Sequence, residues 1–146
     1  MMFIVHDEQG RILYTAEVSD VAGYEALLRS RGERFLEVSA AEAYELAGPG
    51  GVILDACYVD VGGSGALLRR KALPVELGAE TLPVGHAMMV KAPPGTTVSI
   101  RTDWMEEAFE MADTEDVLIF EVPGRYALRF ELFPFLPAVH DVTVTA

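Results

Sequence analysis

From residue 48 onward, glycine and proline recur along the chain and helical signals nearly vanish. Gly48-Pro49-Gly50-Gly51 opens the series. Gly62-Gly63-Ser64-Gly65, Pro74, Gly78, Pro83 to Gly85, Pro93-Pro94-Gly95, Pro123-Gly124, Pro134 and Pro137 continue it, with a polar break at Asp113 to Asp116. Between them run short apolar and β-branched segments: His86 to Lys91, Thr96 to Arg101, Val117 to Val122, Arg125 to Leu132 and Val139 to Thr145. Strands at this spacing predict a small antiparallel sandwich. With side chains alternating along a strand, Tyr126, Leu128, Phe130 and Leu132 share one face, opposed by Val142 and Val144. Val52 to Val61 and Ala66 to Lys71 flank the glycine-rich turn at 62–65 as a further hairpin. Trp104 to Met111 fits two periods. Met105, Ala108, Phe109 and Met111 suit a helical turn, whereas strict alternation suits a strand; a strand or an irregular crossing segment is expected there.

Before residue 48 the signals differ. Phe3-Ile4-Val5 and Ile12 to Ala16 flank a turn at Asp7-Glu8-Gln9-Gly10, which predicts a hairpin. Asp20 or Ser19 offers an N-cap, Val21, Tyr24, Leu27 and Leu28 follow at helical spacing, and Gly32 stops the helix. Its apolar stripe is expected to pack on the hairpin. Phe35 to Val38 reads as a third strand, and Ser39-Ala40-Ala41-Glu42 as a capping box for a helix ending near Ala47. The expected organisation is a hairpin–helix unit over 1–48 and a β-sandwich domain over 52–146, in a mainly β chain of the α+β type.

Charge excludes one class of partner. The chain carries 23 acids and 11 bases, a net charge of −12, and phosphate neutralisation needs clustered Lys and Arg, so no nucleic acid is expected. The charge is uneven: residues 1–64 sum to −7, residues 65–101 to +3 and residues 102–146 to −8. The basic segment centres on Arg69-Arg70-Lys71, either a dock for an acidic surface or a solvated strand edge. No run approaches the ~18 apolar residues of a membrane span, and the N-terminus lacks a secretory pattern, so no membrane partner is expected.

Catalytic motifs do not emerge. Gly62-Gly63-Ser64-Gly65-Ala66 lacks the last glycine of a nucleophile elbow, leaving Ser64 a turn serine. Cys57, the single cysteine, sits in an apolar pattern and reads as a buried thiol. Phosphate loops are absent from the sequence, and His6, His86 and His140 lie apart, without zinc spacing. Asp103, Glu106, Glu107, Glu110, Asp113, Glu115 and Asp116 form a run with no Lys or Arg between Thr102 and Gly124. It lacks the spacing of a calcium loop and reads as an exposed, charged excursion from the sandwich. No catalytic residue, cofactor or metal is therefore expected. Trp104, Met105, Phe109 and Met111 within this run, together with Arg69, Arg70 and Lys71, are the candidate assembly contacts.

Pro93-Pro94-Gly95-Thr96-Thr97-Val98-Ser99-Ile100, Pro123-Gly124-Arg125-Tyr126-Ala127-Leu128-Arg129-Phe130 and Val142-Thr143-Val144 together resemble PEGA-type and related transthyretin-like modules. The resemblance implies an antiparallel Ig-like or transthyretin-like β-sandwich, with Pro-Gly turning a hairpin and the Tyr126 hydroxyl reaching backbone. Trp104 stands where those modules carry a glycine. A second resemblance spans the chain. Phe3-Ile4-Val5 with Gly10-Arg11-Ile12-Leu13, Tyr58-Val59-Asp60 with Leu67-Leu68-Arg69-Arg70 and Leu73-Pro74, and Leu82-Pro83 with Gly85 are similar to small tail-associated structural proteins of bacteriophages and prophages. It implies a non-enzymatic virion component of a tail or tail fibre, assembled in the host cytoplasm. Other tail proteins would be its partners, and it would be a homo-oligomer. The alternatives are a bacterial adaptor module whose sandwich holds a small ligand or peptide, and a hydrolase using carboxylates from 103–116.

Overall fold

In the computed structural model, which describes all 146 residues, strand β1 (Met2–His6) is buried along its whole length. It is the centre of an antiparallel sheet, flanked by β2 (Ile12–Glu17) and β3 (Arg34–Val38). Alternation sends Phe3 and Val5 to one face and Met2 and Ile4 to the other. On the first face they pack with Leu28 of helix α1 (Val21–Ser30), and Tyr24 meets Phe3 at 5.1 Å between ring centroids. On the second they pack with Ala43 and Ala47 of α2 (Ala40–Ala47) and with Ile53 of the single turn α3 (Ile53–Ala56). A strand covered on both faces reads as an unbroken apolar run, which is why Met2 to Val5 does.

Both helices are capped as the sequence predicts. The Asp20 carboxylate accepts from the Gly23 N–H at 3.0 Å, and the Ser39 hydroxyl accepts from the Glu42 N–H at 3.1 Å. At the far end of α1, Gly32 takes φ 68°, and the Glu33 N–H reaches back to the Leu28 carbonyl. The stripe docks on the hairpin as expected, apart from Leu27, which is exposed.

Residues Met1–Arg70 form one compact unit and Lys71–Ala146 another. The division therefore falls at Arg70, not at the glycine-rich 48–51 segment. Gly48 to Gly51 is a tight turn inside the first unit: Gly48 caps α2 with φ 80°, and a Cβ at Gly51 would come within 2.0 Å of the Ala47 carbonyl oxygen. The hairpin of β4 (Cys57–Val59) and β5 (Leu67–Arg69) then adds Cys57, Val59 and Leu67 to the core built on Met2 and Ile4. Gly10 anchors it. Its carbonyl accepts from the Val59 N–H at 2.9 Å, and a Cβ there would collide with the Val59 oxygen at 1.9 Å. The upstream half of the expected 52–61 strand is helical instead, because Ile53 turns inward against α2.

The second unit places two sheets around one core. The larger orders β10 (Glu106–Glu110), β9 (Thr97–Arg101), β12 (Gly124–Glu131), β13 (Ala138–Thr145) and β7 (Thr81–Pro83). The smaller orders β11 (Glu115–Ile119), β8 (Ala87–Lys91) and β6 (Glu76–Leu77). All pairings are antiparallel except β13 with β7, which is parallel. Tyr126, Leu128, Phe130, Val142 and Val144 are all buried in a core shared with Met88 and Val90. Tyr126 pairs with Val142 in register, so these two lie side by side on one sheet face. The expectation that Val142 and Val144 oppose Tyr126 from across the core is thus corrected.

The Pro-Gly breaks also change role. Pro93-Pro94-Gly95 links β8 to β9, and Pro123-Gly124 links β11 to β12. Each carries the chain from one sheet to the other, so they are corners and not hairpin turns. Strand β11 begins at Glu115, earlier than expected, because Glu115 pairs in register with Lys91 and forms an ion pair with it at 3.5 Å.

Candidate functional site

Strand β10 ends the five-stranded sheet and β11 ends the three-stranded one, so both are edges. They are consecutive in the chain, joined through Met111 to Thr114. Between them opens a cleft of about 370 Å³ whose walls include Trp104, Met105, Glu107, Phe109, Leu118, Ile119, Glu121 and Val122, with Phe120 and Tyr126 at its base.

Each wall has a local cause. At the β9–β10 turn the Thr102 hydroxyl oxygen accepts from the backbone N–H groups of Trp104 and Met105, at 3.3 and 3.0 Å. The Thr102 N–H closes the turn on the Met105 carbonyl at 2.9 Å. This presents Trp104 outward from the end of the hairpin. Its ring meets Tyr126 edge-on at 6.1 Å, and Tyr126 packs in turn against Phe120 at 4.4 Å between centroids, the two rings tilted by 46°. Tyr126 itself is fixed from below: its hydroxyl donates to the Val122 carbonyl at 2.6 Å, the backbone contact expected of an aromatic at this strand start. Trp104 remains 56% exposed, and Ile119, at 58%, flanks the same opening. Two large apolar side chains are thus left open at one cleft.

The rim is acidic. Glu107 and Glu121 line the cleft, and Asp103, Glu106, Glu110, Asp113, Glu115 and Asp116 are exposed along the same stretch of chain. No three His, Cys, Asp or Glu side chains converge as a metal ion requires. The acidic run is not an excursion from the fold, since Glu106–Glu110 pairs residue for residue with Arg101 to Thr97. Edge position reconciles its charge with its place in the sheet: an outermost strand keeps its carboxylates in water, and charge there discourages indiscriminate pairing.

The candidate contacts are partly brought together. Trp104, Met105 and Phe109 share the cleft. Met111 does not: it is 1% exposed, held in the core where its backbone pairs with Thr96 and Gly95. Arg69 and Arg70 belong to the first unit and Lys71 begins the second. Arg69 and Lys71 are exposed, whereas Arg70 is half-buried and donates from Nε to the Cys57 carbonyl at 3.2 Å. Burial pushes the Arg70 pKa down, with the charge of Arg11 adding to it. Arg70 therefore fastens the β4–β5 hairpin and is withdrawn from the contact set.

Ile119 and Val122 were not singled out by sequence reasoning. An apolar residue on an edge strand carries the same pattern as one on a central strand. Only the sheet order separates the two. Elsewhere in the second unit, a broader depression of about 710 Å³ is lined by Pro74, Pro93, Pro94 and Thr114, among others, and its Lys91 and Glu115 already pair with each other. Cys57 is buried, and burial pushes its thiol pKa up, away from the thiolate a nucleophile needs. No known protein family, curated protein or solved structure matches this chain.

Proposed function

We propose that the chain is a non-catalytic assembly protein whose partner contact is the open edge of its second unit, between β10 and β11. The observation that carries this reading is the pair of exposed side chains Trp104 and Ile119 at a largely apolar cleft that also holds Glu107 and Glu121. Such a layout joins a desolvating centre to a charged rim that sets orientation. The setting comes from the sequence resemblance: a structural component of a phage virion, of the tail or tail fibre, with other tail proteins as neighbours and repeated copies about an axis.

Co-expression with the proteins encoded beside it, followed by sedimentation, tests the reading. The chain is expected to sediment in a particle, and Trp104→Ala combined with Ile119→Asp is expected to release it. A chain that enters the particle equally well with both substitutions overturns the proposed contact, and one that never leaves the monomer fraction overturns the assembly role. The cleft also supports a second reading, an adaptor holding a small ligand or peptide. That reading expects a monomer that takes up one ligand.

A further inference from the structure

The cleft has a chemistry more specific than an apolar contact. Its mouth sets an exposed indole beside two carboxylates, Glu107 and Glu121. An aromatic face and carboxylates together favour a cation, through ring quadrupole and charge. No Lys or Arg lines the cleft itself, although Arg101 and Arg125 line a neighbouring depression that also includes Trp104. One wall of the cleft is β10, whose outer edge presents backbone N–H and C=O groups to an added strand.

We infer that the cleft accepts an extended segment of a partner protein that alternates apolar and Lys or Arg residues, pairs with the β10 edge and places one cationic side chain against Trp104, Glu107 and Glu121. The occupant is a different protein and not a second copy. Two copies would each bring a net charge of −12, and the acidic edge of one would meet a chain that is acidic over most of its length. Alternation follows from the strand, which turns every second side chain into the cleft and leaves the others outside.

This inference rests on the proposed contact edge, and its test separates the two. The full chain is titrated with the peptide acetyl-Val-Lys-Val-Arg-Val-Lys-Val-amide, followed by the emission of Trp104, the single tryptophan, and by calorimetry. Saturable one-to-one binding is expected, weakening as salt is raised because exposed charges are screened. Glu107→Gln with Glu121→Gln, and separately Trp104→Ala, are expected to weaken it about tenfold. Glu37→Gln with Glu45→Gln, the same charge change in the first unit, is expected to leave it unchanged. Absence of saturable binding overturns the inference. So does equal affinity for the peptide with Glu in place of Lys and Arg, or equal weakening by the Glu37 and Glu45 pair. A solution mass that doubles with concentration, and reverts in Trp104→Ala, overturns it in favour of a second copy. If the peptide fails while particle entry still depends on Trp104 and Ile119, the cationic segment is refuted and the contact edge stands. If both fail, the edge itself is refuted.

Discussion

The ring of Trp104 rests on Gly124: a Cβ built at that glycine would stand 2.9 Å from Cη2 of the indole. Gly124 also takes φ 149°, a conformation L side chains rarely adopt. The corner that carries the chain from β11 to β12 and the aromatic at the cleft mouth are therefore one construction. Gly124→Ala is expected to cost about 1–3 kcal/mol through backbone strain and to swing the indole toward water. Unfolding in urea reads the first effect, and a red shift of the Trp104 emission reads the second. In a Trp104→Ala background the steric part vanishes and only the strain remains, so the two substitutions should be non-additive. Additive losses would mean that the ring does not bear on the glycine.

Phe130 is fully buried in the centre of the five-stranded sheet, among Leu128, Val98 and Val142. Phe130→Ala is expected to destabilise by ~3–5 kcal/mol, the range for deleting a packed aromatic. A loss below ~1 kcal/mol, typical of surface positions, would place Phe130 outside the core.

The Tyr14 hydroxyl donates to Glu33 at 2.5 Å, joining β2 to the segment after α1. That hydrogen bond, then burial and the Glu33 charge, raise the Tyr14 pKa from 10.0 to about 12. The folded state holds this proton more tightly than the unfolded chain. The stabilisation is thus complete below pH 10 and is lost as pH climbs toward about 12. Tyr14→Phe should be less stable than the parent at neutral pH, with the difference shrinking across that window. Spectrophotometric titration should show the variant lacking one late-ionising phenol. An unchanged high-pH titration would show that the hydrogen bond does not hold in solution.

The carboxylates from Asp103 to Asp116 are exposed, and no three converge on one point. Saturating calcium is accordingly expected to leave the melting temperature unchanged. A rise that grows with calcium concentration would reveal preferential binding to the folded state and overturn this expectation.

Much of this architecture was legible because local chemistry and tertiary demand agree. Asp20, Ser39 and Gly32 mark helix ends with side-chain and backbone signals that do not depend on the rest of the chain. Alternation likewise marks Tyr126, Leu128 and Phe130 as one buried face. What failed depends on long-range pairing. The glycines at 48–51 mark a turn equally well inside a unit as between two, and long-range contacts such as Gly10 with Val59, and Cys57 and Leu67 with the core of Met2 and Ile4, decide which. Pro-Gly at 93–95 and 123–124 signals a reversal without saying whether the next strand joins the same sheet. The cleft was half legible. Composition pointed to Trp104, Met105 and Phe109, but Met111 shares their chemistry and is buried by its pairing with Thr96. Ile119 became a candidate only once β11 was known to be an edge.

The parallel pairing of Thr81–Pro83 with Thr143–Thr145 has a consequence for how the protein is made. A ribosome delivers β7 roughly sixty residues before the strand it must join. Since β13 also sits between β12 and β7, the five-stranded sheet stays unfinished until nearly all of the second unit has been synthesised. Closing so distant a pairing slows folding and prolongs exposure of unpaired strands. The first unit has no such wait, for its central strand precedes both of its partners in the chain and all three lie within Met1–Arg70. Nascent chains are thus expected to carry a folded N-terminal unit ahead of a C-terminal unit that is still open and vulnerable to aggregation.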